Sequence, residues 1–217
     1  MGKLDDFIQI EKSKYGSLFS DIEFAINSVS ELLSEDSLKE RKYYTRVPIL
    51  KKYIELLDSI KLDKKRKSFL SFFDQDKYIN ILEDYKKENK EIFLQLECCS
   101  KCKCLNCTRN CGFDSCKRCT KGSRIYSCDH TKTNVSLENR TLNLLNEDTN
   151  EDDIYYVLAI IQTLKMDTRY IVIKNSRTKE KYILYYYPGI SEDSYAEITK
   201  EEDFNFAAST YDSLGID

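Results

Sequence analysis

The chain has 217 residues, 41% of them hydrophobic and 33% charged. That balance excludes a disordered chain and suits a soluble globular protein with a substantial core in one or two domains. The longest strong apolar run, YYVLAII at 155–161, is far short of the roughly 18 to 20 residues of a membrane span.

The N-terminal stretch MGKLDDFIQIEKSKYG alternates charges and lacks the apolar core of a signal peptide. Asp6 stands where a myristoylation signal wants Ser or Thr. A cytoplasmic protein without membrane attachment is therefore expected, and the glycosylation sequons at Asn106, Asn134 and Asn139 carry no meaning. Abundant Lys, Ile, Asn and Tyr, with no Trp and two Pro, suggest a low-GC bacterial or phage genome.

The formal charge of −3 hides a division. Residues 1–97 hold 18 basic and 19 acidic side chains, residues 98–132 hold 8 and 2, and residues 133–217 hold 8 and 16. A basic, Cys-rich insert between a neutral and an acidic segment predicts three parts: a helical domain (1–97), a Cys-rich module (98–132) and a β-rich domain (133–217). The fold class expected is α+β, with a C-terminal antiparallel sheet and a terminal helix.

The first segment reads as helical. In SLFSDIEFAINSVSELLSED (17–36), Leu18, Ile22, Ala25, Val29 and Leu32 recur at helical spacing, and Phe19, Ile26 and Leu33 widen the stripe. Pro48 is placed in the first turn of a second helix, with Leu50, Tyr53, Ile54, Leu57 and Ile60 on one face. A third helix is predicted over 74–97, with Asp74 or Asp76 as its cap and Tyr78, Leu82, Tyr85, Ile92 and Leu96 on one side. The basic run KLDKKRK (61–67) reads as a solvated loop between helices, with a phosphate-binding patch as the alternative.

Beyond the cysteines the period changes to two. RYIVIKN (169–175) and KYILYYYP (181–188) form a predicted hairpin around SRTKE. RTLNLL (140–145) and IYYVLAIIQ (154–162) read as earlier strands, the second open to a buried-helix reading, and SYAEI (194–198) as a fifth. KEEDFNFAASTYDSL (200–214) closes as a short helix with acidic residues near its positive end. In Tyr185, Tyr186 and Tyr187, alternation supplies both core and surface. This succession of strands and acidic, aromatic helix, over about 138–215, resembles the YrzB-like family of uncharacterised proteins of low-GC bacteria. The resemblance implies no activity and no catalytic residue.

All nine cysteines and the single histidine fall within residues 98–130. The ligand candidates are Cys98, Cys99, Cys102, Cys104, Cys107, Cys111, Cys116, Cys119, Cys128 and His130. Three Cys-x2-Cys pairs, Cys99/Cys102, Cys104/Cys107 and Cys116/Cys119, have the knuckle spacing that delivers two thiolates to one tetrahedral ion. Disulfides need an oxidising compartment, and nine cysteines cannot all pair. No ferredoxin-like spacing favours an iron–sulfur cluster, which stays an alternative together with redox thiols.

Zinc is expected. The first choice is two ions, one bound mainly by Cys99, Cys102, Cys116 and Cys119. The other would draw on Cys104, Cys107 or Cys111, Cys128 and His130. A three-ion cluster with bridging thiolates, Cys98 included, is the alternative. Such Cys-rich shells are closed and structural rather than catalytic. Eight thiolates and two zinc ions would bring the segment's charge to about +2. Lys101, Lys103, Arg109, Lys117, Arg118, Lys121 and Arg124 are then either thiolate counter-charges or nucleic-acid contacts.

No catalytic constellation appears. Six glycines at positions 2, 16, 112, 122, 189 and 215 build neither a dinucleotide fingerprint nor a P-loop. Cys128 and His130 read as co-ligands, not a dyad. The acidic runs NEDTNEDD (146–153) and EED (201–203) read as a solvated turn and a helix cap, with a hard-cation site as the alternative. The expected function is a non-enzymatic, zinc-stabilised protein-interaction or regulatory protein, with a phage-encoded inhibitor of a host system as one form. Nucleic-acid binding through the Cys-rich segment is the runner-up, and an enzyme or redox thiol protein the third.

Overall fold

The computed structural model describes residues 2–66, 75–146, 151–165 and 168–216. They form two compact units, Met1–Arg109 and Asn110–Asp217, so the division falls inside the Cys-rich stretch. The class is α+β, with N-terminal helices, the Cys-rich stretch, an antiparallel sheet and a C-terminal helix. Among the described residues no helix is long and apolar enough to cross a membrane.

The first unit holds α1 (Lys3–Ser30), α2 (Glu35–Lys39), α3 (Lys42–Arg66), α4 (Gln75–Glu88) and α5 (Lys90–Cys99). α1 starts well before the predicted stretch because Leu4, Ile8, Glu11 and Tyr15 extend the buried stripe of Leu18, Ile22, Ala25 and Val29. It stops at Ser30, which puts Leu32 out of phase: Leu32 is exposed and Leu33 is buried. Ser34 caps α2 by accepting the Ser37 N–H at 3.2 Å.

Three helical predictions are corrected here. Pro48 lies inside α3, not in its first turn, because α3 begins at Lys42 to bury Tyr43. The Tyr44 carbonyl therefore lacks its N–H donor from position 48. The run at 61–66 is the last turns of α3 and not a loop; Lys67 lies outside the described residues. The third helix is two helices, broken at Asn89, whose φ of −107° and ψ of 17° leave the helical region. Asp76 sits in the first turn of α4 and pairs with Lys3 instead of capping; Asp74 is outside the described residues.

The apolar faces of α1, α3, α4 and α5 share one core with Leu105 of the Cys-rich stretch. Inside it Glu11 is only 8% exposed. It accepts from the Tyr53 hydroxyl at 2.5 Å and pairs with Lys86 at 2.9 Å. A buried carboxylate without such partners would be strongly destabilising. Burial, then Glu11 itself, drives the Tyr53 phenol far above its ordinary range.

The second unit is a sheet of seven strands: β1 (Arg124–Cys128), β2 (Thr133–Leu137), β3 (Thr141–Asn146), β4 (Glu151–Thr163), β5 (Arg169–Asn175), β6 (Lys181–Tyr187) and β7 (Ser194–Glu197). α6 (Glu201–Asp212) follows. Every pairing is antiparallel in the order β1-β2-β4-β5-β6-β7, while β3 pairs with the first half of β4. The stretch 154–162 is thus strand and not helix. A bulge between Val157 and Ala159 turns these two residues to opposite faces.

One face carries Val135, Ala159, Ile161, Tyr170 and Val172 against Ala207 and Tyr211 of α6. The other carries Val157, Ile171, Ile173 and Tyr186. In β6, Tyr186 is buried while Tyr187 is exposed, as alternation predicts. The predicted acidic turn is partly strand: Asp153 is buried in β4, bonded to Arg177 at 3.0 Å and Asn175 at 3.4 Å. Residues 147–150 of that run lie outside the described residues. No side chain caps α6; Asp203 of the EED run instead accepts the hydroxyls of Tyr170 (3.1 Å) and Tyr185 (2.5 Å).

Candidate metal centre and its seat on the sheet

In the first unit the cysteines follow directly from α5. Cys98 and Cys99 are its last residues, and Ser100 ends it with its N–H on the Leu96 carbonyl. The backbone then winds through tight turns, Cys102 N to Cys99 O at 3.0 Å, Leu105 N to Cys102 O at 3.0 Å and Cys107 N to Cys104 O at 3.3 Å. Side chains from the α2–α3 junction hold these turns. Arg41 donates to the Cys104 carbonyl at 2.8 Å, and the Tyr43 hydroxyl donates to the Leu105 carbonyl at 3.1 Å. Leu105, buried in the helical core, anchors the loop from below.

In the second unit the stretch lies on the sheet face opposite α6. Alternation puts Asn134, Ser136 and Glu138 on that face, since Val135 and Leu137 pack toward α6. Asn134 donates to Ser115 at 2.8 Å, Thr120 donates to Glu138, and Arg169 of β5 pairs with Asp114 at 2.7 Å. The register sets Cys128 opposite Asn134, whose side chain reaches the residue beside Cys116. Gly122 follows the Cys116/Cys119 knuckle with φ of 74°, a conformation side-chain-bearing residues rarely adopt. At Gly112 a β-carbon would lie 2.9 Å from Leu164, so the loop beside Cys111 approaches the end of β4 closely.

The sulfur atoms have donors around them. The Cys104 N–H points to Cys102 Sγ at 3.4 Å and the His130 N–H to Cys128 Sγ at 3.3 Å, each from two residues downstream. Gln95 Nε2 stands 3.5 Å from Cys99 Sγ, whereas Cys119 Sγ itself donates to the carbonyls of Ser123 (3.4 Å) and Thr120 (3.6 Å). Hydrogen bonds to sulfur favour the thiolate over the thiol and orient it, which is what a metal ligand needs. Of the nine cysteines, Cys99 is buried, Cys111 exposed and the others half-buried. His130 is exposed, with φ of 64°. Among the described residues no group of three or more His, Cys, Asp or Glu converges as a shell. Thiols with N–H donors beside them, as at Cys99, Cys102 and Cys128, are the residue types that zinc takes.

Of the basic candidates, Lys101, Lys103, Arg109, Lys117, Arg118 and Lys121 are exposed. Arg118 pairs with Asp114 at 3.3 Å, and Arg124, half-buried on β1, lies 5.4 Å from the Tyr126 ring centroid. Asp129 orders the β1–β2 turn. Burial works against its charge, but the backbone N–H groups of Lys132, Thr131 and Thr133 hold its carboxyl below the usual range.

Between the Cys-rich loop and the sheet lies a cavity of about 70 Å³, lined by Glu138, Arg169, Asn134, Gln162 and Thr120. Burial pushes the Glu138 carboxyl up, against the pull of Thr120, Arg140 and Ser136. These seating residues escape a reading centred on cysteine. Their signal is the strict polar–apolar alternation of Asn134-Val135-Ser136-Leu137-Glu138. No protein family, no curated protein and no solved structure matches the chain.

Proposed function

We propose that this is a non-enzymatic, zinc-stabilised interaction protein in which Cys98–His130 is a structural metal module and the acidic sheet unit presents the binding surface. The observation that carries the reading is the pair of N–H···S bonds at Cys102 and Cys128 within a stretch holding every cysteine. Zinc would be held by ligands drawn from those nine cysteines and His130. Structural zinc supplies about 10–16 kcal/mol of apparent binding free energy. Residues 98–132 have few large apolar side chains of their own, so the metal decides their fold.

Metal analysis of the purified full-length chain is expected to find about two zinc ions per molecule. Three would indicate bridging thiolates, and none would overturn the metal reading. Chelation is expected to open the many Lys and Arg sites of 98–132 to trypsin; an unchanged digestion pattern would count against it. Affinity purification from host cells tests the interaction reading itself.

A second reading has one observation in its favour, the exposure of Lys101, Lys103, Arg109, Lys117, Arg118 and Lys121 along the same stretch. It is nucleic-acid binding, and it requires affinity that falls steeply with salt and drops on charge reversal at Lys101 and Arg109.

A further inference from the structure

We propose that the open edge of β6 and the groove beside it take an extended peptide of a partner protein, apolar at its centre and basic at its flanks, by strand addition. This deepens the interaction reading above and rests on it. β7 pairs with β6 only over Leu184–Tyr187, from Glu197 back to Ser194. The chain then leaves the sheet and enters α6 at Glu201. Among the described residues, no strand covers the outer edge of β6 at Lys181–Ile183, although its inner edge pairs with β5 through Lys181. An uncovered edge offers a row of backbone N–H and C=O groups to another extended chain.

The neighbouring groove runs between this edge and α6, with a volume of about 350 Å³. That lies within the range of small ligand pockets. Its floor is apolar: Val172, Ile183, Ile198 and Ala208, with Phe204 45% exposed at its side. Strand addition supplies backbone hydrogen bonds, and a groove on one side of the added strand receives alternate side chains.

The charge at the rim selects the flanks. Glu197 and Asp212 are exposed carboxylates, while the lining cation Lys181 lies 5.3 Å from the Tyr211 ring centroid. Residues 133–217 carry twice as many acidic as basic side chains. An apolar peptide bracketed by Lys or Arg is complementary to both the floor and the rim.

The test is selection of a random linear peptide library on the full-length, metal-replete protein, with backbone amide NMR of the selected peptides bound to it. Enriched peptides are expected to carry an aliphatic centre with basic flanks and to shift the amides of Lys181–Leu184. Ala208→Trp, which fills the groove from the helix side, should weaken them at least about tenfold. Because Ala208 is half-buried, the exposed double variant Glu197→Lys/Asp212→Lys serves as the second arm and should weaken them several-fold without touching the core. No enrichment, shifts confined to other strands, or binding indifferent to both variants would overturn the proposal. So would dimerisation through Lys181–Leu184 in place of peptide binding. A partner captured from host cells equally by wild type and both variants would leave the interaction reading standing and the groove refuted. Capture of no partner would refute that reading itself.

Discussion

Glu138 directly follows β2 with its side chain only 4% exposed, receiving Thr120 and Ser136 and facing Arg140 at 3.7 Å. Burial raises its carboxyl above the ordinary range, so ionisation weighs against the folded state. The sign follows from proton binding. Between the ordinary carboxyl value and the raised folded one, the native protein holds more protons than the unfolded chain, and stability falls as pH rises. Glu138→Gln is expected to flatten that dependence and to leave stability at neutral pH unchanged or higher. Urea unfolding from acid to neutral pH checks it; a loss above about 1 kcal/mol at neutral pH would show that the ionised carboxylate is net stabilising.

At the scale of elements, α6 is joined to the sheet by Ala207 and Tyr211 and by Asp203 at its first turn. The Tyr185 hydroxyl, opposed by burial and aided by Tyr170, holds the Asp203 carboxyl below its usual range. In return, Asp203 and then burial push Tyr185 up to about 12. A lowered carboxyl value stabilises the fold above the ordinary pKa, and the contribution is lost as pH falls through the depressed value. Asp203→Asn should therefore lower the melting temperature of the sheet unit by a few degrees at neutral pH, and by less in strong acid. Equal losses at both pH values would contradict the assignment.

Elements whose side chains face a conventional core were legible from sequence: β5 and β6 are rich in Ile, Val and Tyr, and the α1 stripe repeats at helical spacing. β1 and β2 were hidden because one face of the sheet is covered by a polar loop instead of a hydrophobic layer. Asn134 and Ser136 therefore replace the large residues that usually announce a strand. The α4–α5 break was hidden because the apolar period runs through Asn89 without a change of phase, from Tyr85 to Ile92 and Leu96. The ligand candidates could be read from spacing alone, whereas their seat could not, since Arg169 lies 55 residues from Asp114.

At the scale of the molecule, the two helical clusters share no residue with the two sheet cores among the described residues. Ile171, fully buried in β5, belongs to the sheet alone. Ile171→Ala is expected to cost about 2–5 kcal/mol there. Amide exchange should accelerate across β4–β6 and stay unchanged at Leu50, Tyr53 and Leu57 of α3; acceleration in both units alike would mean that they unfold as one.

The seating of the Cys-rich loop also has a consequence for synthesis. Ser115 and Thr120 meet partners made 19 and 18 residues later, and Asp114 waits 55 residues for Arg169. At about 5–20 residues per second, Asp114 stands without its β5 partner for roughly 3 to 11 seconds. Until Arg169 is made, the loop that carries Cys116 and Cys119 lacks its tie to β5. The yield of native protein is therefore expected to rise when oxidants are kept from the chain during its synthesis.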